Sequence, residues 1–148
     1  MEEIRITSRK NALLQQVKKL LSSKKEREQS GWFVADGTKL LEEAVKYYPG
    51  LDTVILSDGV EAPLPENVRI VRVPGDVMAS ISPMETPQGA LFLCRFPEKK
   101  EFIPKAGMLL LDGIQDPGNL GTILRTADAL DIPVALLEGC ADPYSHKV

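Results

Sequence analysis

Apolar residues recur at helical spacing in the first fifty positions, then give way to short continuous apolar runs. Leu13, Leu14, Val17, Leu20 and Leu21 fall on one face of a helix that Ser8 is placed to cap, with most lysines off that stripe. "GWFVAD" (31–36) reads as a short buried strand ending in the turn pair Asp36-Gly37. Thr38 is placed to cap a second helix through Tyr48, with Leu40, Leu41, Ala44 and Val45 inward and Pro49-Gly50 as its stop. "DTVILS", "VRIVRVP" and "GALFLCRF" read as strands, and "GDVMASIS" as one short helix. The polar, proline-bearing "DGVEAPLPEN" and "SPMETPQG" read as loops. Strands alternating with helices predict an α/β sandwich on a largely parallel sheet.

"PEKKEFIPKAG", with two prolines and three lysines, reads as a linker. It sets a first domain at 1–98, a connection at 99–106 and a second region at 107–148. In that region strand "MLLLDG", a loop, helix "NLGTILRTADAL" and strand "PVALLEG" form one βαβ unit. "ADPYSHKV" reads as a loop entering another helix, with Asp142 or Ser145 as cap. A unit of roughly forty residues cannot bury its own apolar faces. Either it packs on the first domain or the rest of a larger domain is missing. Leu109, Leu110, Leu111, Val134, Leu136 and Leu137 are then expected to be exposed unless a partner chain covers them.

Composition narrows the classes. The apolar share of 43% in 148 residues is enough for a core, and no apolar run is long enough to cross a bilayer. The first residues lack the apolar core and cleavage site of a signal peptide. Cys94 and Cys140 sit in or after apolar runs without metal-ligand spacing, which reads as free thiols in a cytoplasmic protein that holds no metal. Charge is uneven. Residues 1–30 hold eight Lys/Arg against four Glu, a net +4 that leaves −7 for the rest of a chain totalling −3. Such a basic segment is either a phosphate-binding face or the solvated side of a helix.

The loop "DGIQDPGNLGTILRT" (112–126) carries the candidate chemistry. It joins a buried strand to a helix whose first turn offers free N–H groups, a setting that attracts anions. It has neither the lysine of a phosphate loop nor the spacing of a dinucleotide fingerprint. Asn119 sits near the cap and is either a plain helix cap or a ligand-orienting amide. Arg125, six residues on, is either a structural ion pair with Asp128 or Asp112, or a guanidinium kept for function.

"LDGIQDPGNLGTILRTADAL" resembles motif 1 of the SpoU-type (TrmH-like) RNA 2′-O-ribose methyltransferases of the knotted SPOUT superfamily. The motif core, Asn-x-Gly-x-x-x-Arg, is matched by Asn119, Gly121 and Arg125, with Asp116 and Gly118 beside them. "SRKNALLQQVKKLLSSKKERE" followed by "GWFVADGTKLLEEA" resembles the family's N-terminal RNA-binding domain, a kink-turn-binding, ribosomal-protein-like α/β/α sandwich. "SPMETPQG" resembles the turn before that domain's last strand, and "GCADPYSHKV" the segment after the second strand of the methyltransferase domain. The four segments cover essentially the whole chain in order. Relatives usually carry Glu-Gly where this chain has Asp36-Gly37.

The resemblance implies S-adenosylmethionine as cofactor, RNA as substrate (ribosomal RNA ahead of tRNA), and a homodimer formed through the methyltransferase domain, with no membrane and no metal. It implies catalytic roles for Arg125 and Asn119. RNA contacts are expected from Arg9, Lys10, Asn11, Lys18, Lys19, Lys24, Lys25, Arg27 and Lys39. The family's motifs 2 and 3, which form the knot and hold the cofactor, have no counterpart in residues 1–148. The chain is therefore expected to contain the RNA-binding domain plus the beginning of the catalytic domain, to contribute no cofactor-binding residue, and to be inactive alone. The alternative is a non-catalytic module or fragment that docks on structured RNA.

Overall fold

The computed structural model describes residues 2–148, and the chain divides at Pro97/Glu98 into two units. The first runs β1 (Glu3–Arg5), α1 (Ala12–Ser22), α2 (Lys24–Ser30), β2 (Trp32–Asp36), α3 (Thr38–Tyr47), β3 (Leu51–Ser57), β4 (Arg69–Val73), α4 (Gly75–Ile81) and β5 (Ala90–Arg95). Its five strands form one sheet in the order β1-β4-β3-β5-β2. One face carries Leu14, Val17 and Leu20 of α1 with Val77, Met78 and Ile81 of α4. The other carries Leu41 of α3 over Val54, Leu56, Ile70 and Phe92. The result is a three-layer α/β/α unit.

The sheet is less parallel than the alternating pattern predicts. β1/β4 and β4/β3 are parallel, but β3/β5 and β5/β2 are antiparallel. The chain leaves α4 still near the end where β4 finished, with Ser82 Oγ donating to Asp36 Oδ2 at 2.6 Å. β5 therefore enters from that end and runs antiparallel to β3.

Both expected helix caps are corrected. Asn11, not Ser8, caps α1, its side chain accepting from Leu13 N at 2.9 Å. Ser8 instead closes a tight turn, accepting from Lys10 N at its Oγ and from Asn11 N at its carbonyl. Thr38 is the first residue of α3 rather than its cap. The preceding Gly37 sits at φ +129° and has no side chain to cap with. Gln88 Oε1 takes over from the 82–89 loop, accepting from Thr38 N at 2.9 Å and Thr38 Oγ1 at 3.1 Å. The basic N-terminal segment is two helices, not one. Ser23 interrupts it and caps α2 by accepting from Glu26 N at 3.2 Å, the competition with helix backbone that serine side chains offer.

Arg27 does not belong to an RNA-facing surface. It is 5% exposed and its Nη1 donates to Leu20 O at 2.6 Å, filling a carbonyl that the end of α1 leaves open. Helix ends buried without such partners cost stability, and an arginine with an aliphatic stem can cover apolar surface on the way to that carbonyl. Arg27→Ala is expected to destabilise the first unit by about 1–3 kcal/mol and to leave RNA affinity of the folded protein unchanged. Urea unfolding paired with a filter-binding assay reads both.

The second unit is a βαβ: β6 (Leu109–Leu111), α5 (Pro117–Ala129) and β7 (Val134–Leu136), with β6 and β7 parallel. Leu109, Leu110 and Leu137 are exposed, as the pattern predicts. Leu111 is not, at 7%, and Val134 and Leu136 are half-buried. Leu111 of β6 and Leu120 and Ala127 of α5 are the unit's buried apolar residues. Residues 142–148 form turns rather than the expected helix start: Asp142 Oδ1 accepts from Tyr144 N and Asp142 O from Ser145 N. Burial, helped by the nearby Asp52 charge, pushes the Cys94 thiol up to about 12, so this side chain behaves as a core residue. Cys140 is half-buried, with its thiol donating to Leu111 O at 3.3 Å.

Candidate functional site

α5 begins where the apolar β6 gives out into Asp112 and Gly113. Its cap is Asp116, whose Oδ2 accepts from Asn119 N at 2.8 Å, and Pro117 holds the first helical position, where a missing N–H costs nothing. Asn119 is thus not the helix cap. Its backbone is served by Asp116, and its exposed side chain faces a groove of about 430 Å³ lined by Gly113, Ile114, Gln115, Asp116, Asn119, Thr122 and Ile123.

Arg125 lies six residues further along, nearly two turns. Helical side chains lean toward the N-terminus of their helix, and this one folds back so that Nη1 passes 3.2 Å from the point where a Cβ on Gly121 would stand. A side chain at 121 would also meet Val148 O at 2.5 Å, so only glycine fits. Gly118, by contrast, has just the Asp116 carboxylate within 3.3 Å of its would-be Cβ. The Gly-x-x-x-Arg spacing therefore has a geometric reading: glycine, one turn before the arginine, leaves room for the guanidinium to lie back along the helix. Among the described residues no carboxylate pairs with Arg125, and its hydrogen bond runs from Nη2 to Thr122 Oγ1 at 3.3 Å. Ion pairing with Asp128 or Asp112 does not occur. Arg125 is exposed, and only Leu120, Gly121 and Ala127 of α5 are buried.

In the first unit the candidate RNA residues fall into two groups. Register puts the end of β2 at Asp36 opposite Leu91, the end of β3 at Ser57 opposite Val73, and the end of β1 at Arg5 opposite Arg72. α1 and α3 both start from this end of the sheet. Arg9 and Lys10 precede α1 and Lys39 opens α3, all exposed, with Arg9 reaching Asp76 at 3.2 Å. Asn11 is spent on capping. Lys18 and Lys19 lie in the second half of α1, an eleven-residue helix about 16 Å long, and Lys24 and Lys25 open α2. These four are exposed as well, and Lys24 pairs with Glu28 at 3.7 Å. Charge counting could not separate the groups, because only the strand order says where each helix starts.

The sequence reading missed the residues that shape the first end. Arg5 forms a bidentate pair with Asp58, at 2.7 and 2.8 Å, and that hydrogen-bonded pairing holds the Asp58 carboxyl below its usual range. Gln88 and Asp36 fix the 82–89 loop against the start of α3. No local signal marks Gln88, whose partner lies fifty positions away. Among the described residues no cluster of three or more His, Cys, Asp or Glu could hold a metal ion.

The chain thus presents a layered α/β/α unit followed by a strand–loop–helix that carries a folded-back arginine. Residues 11–91 match the family model described as the MRM3-like substrate binding domain. The chain belongs to this family, within the SpoU (TrmH-like) RNA methyltransferases. It is 35% identical over 145 residues to the 23S rRNA (guanosine(2553)-2′-O)-methyltransferase RlmP of Bacillus subtilis, covering 96% of this chain and 58% of the relative. It is 31% identical to the mitochondrial rRNA methyltransferase 3 of Xenopus tropicalis, covering 91% and 36% respectively. Among solved structures, the AdoMet-bound rRNA methyltransferase from Sinorhizobium meliloti superposes with a TM-score of 0.81 at 25% identity, over 98% of this chain and 58% of that one. The chain thus spans little more than half the length of the RlmP relative and of that solved structure.

Proposed function

We propose that this chain is part of an S-adenosylmethionine-dependent methyltransferase acting on the ribose 2′-hydroxyl of ribosomal RNA. The observation that carries the reading is Arg125, held over Gly121 and bonded to Thr122 of the Asn119 groove, with no carboxylate partner among the described residues. Residues 1–98 act as the RNA-docking domain, with the fold of kink-turn-binding ribosomal proteins, 99–106 as the connection, and 107–148 as the beginning of a knotted catalytic domain that dimerises. The B. subtilis and X. tropicalis relatives, both named as rRNA methyltransferases, support the choice of RNA.

A ribose hydroxyl becomes a good nucleophile only as its oxygen gains negative charge. Arginine is a poor general base because it stays protonated, but its planar fork of donors can stabilise that developing charge and hold a neighbouring phosphate. Asn119 offers an amide to the same ribose, and Gly118 lets backbone approach the start of α5. S-adenosylmethionine supplies an electrophilic methyl group when bound. The groove is open, and its lining mixes Gln115, Asp116, Asn119 and Thr122 with Gly113, Ile114 and Ile123, an open surface rather than a closed slot for a purine. No described residue is therefore assigned to the cofactor. The direct experiment incubates the whole natural protein carrying this sequence with radiolabelled S-adenosylmethionine and unmodified ribosomal RNA. Label resistant to alkaline hydrolysis at one nucleotide is expected; RNA binding without labelling would instead identify a docking module.

RNA docking is assigned to the end of the sheet where α1 and α3 begin. Free N–H groups there add to Arg9, Lys10 and Lys39, whereas Lys18, Lys19, Lys24 and Lys25 extend the track along α1 and α2. Reversing Arg9, Lys10 and Lys39 together to Glu is expected to weaken binding at least tenfold at 0.1 M salt and to lower the slope of log K against log salt by about 2–3. Reversing Lys18, Lys19 and Lys24 is expected to lower it by less. Equal affinities and slopes for both variants and the parent would return these side chains to a solvated surface.

A further inference from the structure

Thr122 stands at the centre of the α5 geometry, and the proposed reaction has not used it. Its Oγ1 donates to Gly118 O at 2.9 Å, so its single hydroxyl proton is committed. The oxygen keeps lone pairs, and one accepts from Arg125 Nη2 at 3.3 Å. The same side chain lines the groove with Asn119 and Gln115. An exposed arginine with several rotatable bonds samples many orientations unless something selects one. Here two features do: the space above Gly121, which admits Nη1, and the oriented acceptor at 122. The chain Gly118 O, Thr122 hydroxyl, Arg125 guanidinium runs along one face of α5, with Thr122 at the edge of the groove. Valine has nearly the same shape as threonine but offers no acceptor.

We infer that Thr122 is a positioning residue, which holds the Arg125 guanidinium over Gly121 at the edge of the groove by accepting one of its N–H groups. This rests on the proposed role of Arg125. It leaves the remaining guanidinium donors free for the ribose oxygen and phosphate. Thr122 contributes through Arg125 and touches no reacting atom itself, so its loss acts on turnover more than on RNA affinity.

The test compares Thr122→Val, Thr122→Ser and Arg125→Ala in the whole natural protein, measuring kcat, KM for ribosomal RNA, direct RNA affinity and melting temperature. Thr122→Val is expected to lower kcat about tenfold, with KM, RNA affinity and melting temperature near the parent. Thr122→Ser, which keeps the acceptor, is expected to recover most of the loss. In a Thr122→Val background Arg125→Ala should cost less than it does in the parent, the mark of two residues acting as one device. Normal kcat in Thr122→Val beside an inactive Arg125→Ala would overturn the positioning role alone. Normal kcat in Arg125→Ala would overturn the underlying reading. A Thr122→Val loss that Ser fails to rescue, or one that tracks a fall in melting temperature, would reduce the hydroxyl to a local helix contact.

Discussion

Arg125→Ala is expected to lower methyl transfer to ribosomal RNA by about 10²–10³-fold, the range seen when a preorganised donor to a developing oxyanion is removed. Folding should barely change. Arg125 is exposed and its hydrogen bond is to a threonine on its own helix, so its removal belongs with surface substitutions worth within about 0.5 kcal/mol. RNA affinity should stay within a few-fold, since docking is assigned to the other unit. Arg125→Lys is expected to recover little activity, because an ammonium is a point charge and cannot span hydroxyl and phosphate as a planar fork does. Rapid-quench turnover beside a thermal melt gives both readouts. A large drop in melting temperature with activity lost only through unfolding would make the guanidinium a structural group.

Phe92→Ala carries the largest expected loss of stability. Phe92 is 2% exposed on β5, between Val54 of β3 and Ala35 of β2 in the ladder, and belongs to the cluster beneath α3. Truncating a buried phenylalanine costs about 3–5 kcal/mol, the transfer energy of the ring plus the cavity it leaves. For a domain of about 100 residues that is a fall of roughly 12–30 °C in melting temperature. The urea midpoint should move with little change in slope. Tyr47→Ala serves as the control: its ring, on α3 above the same face, is 76% exposed and its loss should cost little. Similar losses in both variants would mean the exposed rim of that face, not its interior, holds α3 in place.

Local pattern made much of this molecule legible. Apolar runs such as "VILS" and "LFLC" are buried strands, as their continuity predicts, because a strand covered on both faces has no polar side to show. Leu14, Val17 and Leu20 are buried on one face of α1, and Gly37 does stand at a turn. The strand β1 was invisible for an opposite reason. "EIR" carries one apolar residue between two charges, and its place comes from register with β4 rather than from its own preference. The α5 segment was legible because motif spacing is local: Gly121 and Arg125 sit one helical turn apart in any helix that contains them.

What the sequence by itself determined was therefore one-dimensional: which segments are strands and helices, and that Gly121 and Arg125 share a face of α5. Helix period and strand alternation act between residues a few positions apart, so they can be read along the chain. Tertiary structure alone decided the rest. It made β5 antiparallel, because the chain leaves α4 beside Asp36, at the end of the sheet where β4 finished. It gave the cap of α3 to Gln88, fifty residues distant, and buried Arg27 against the end of α1 while its lysine neighbours stayed in water. It also separated Arg9, Lys10 and Lys39 from the α2 lysines, since strand order fixes where each helix starts. Those outcomes depend on distances between residues far apart in the chain, which no local pattern encodes.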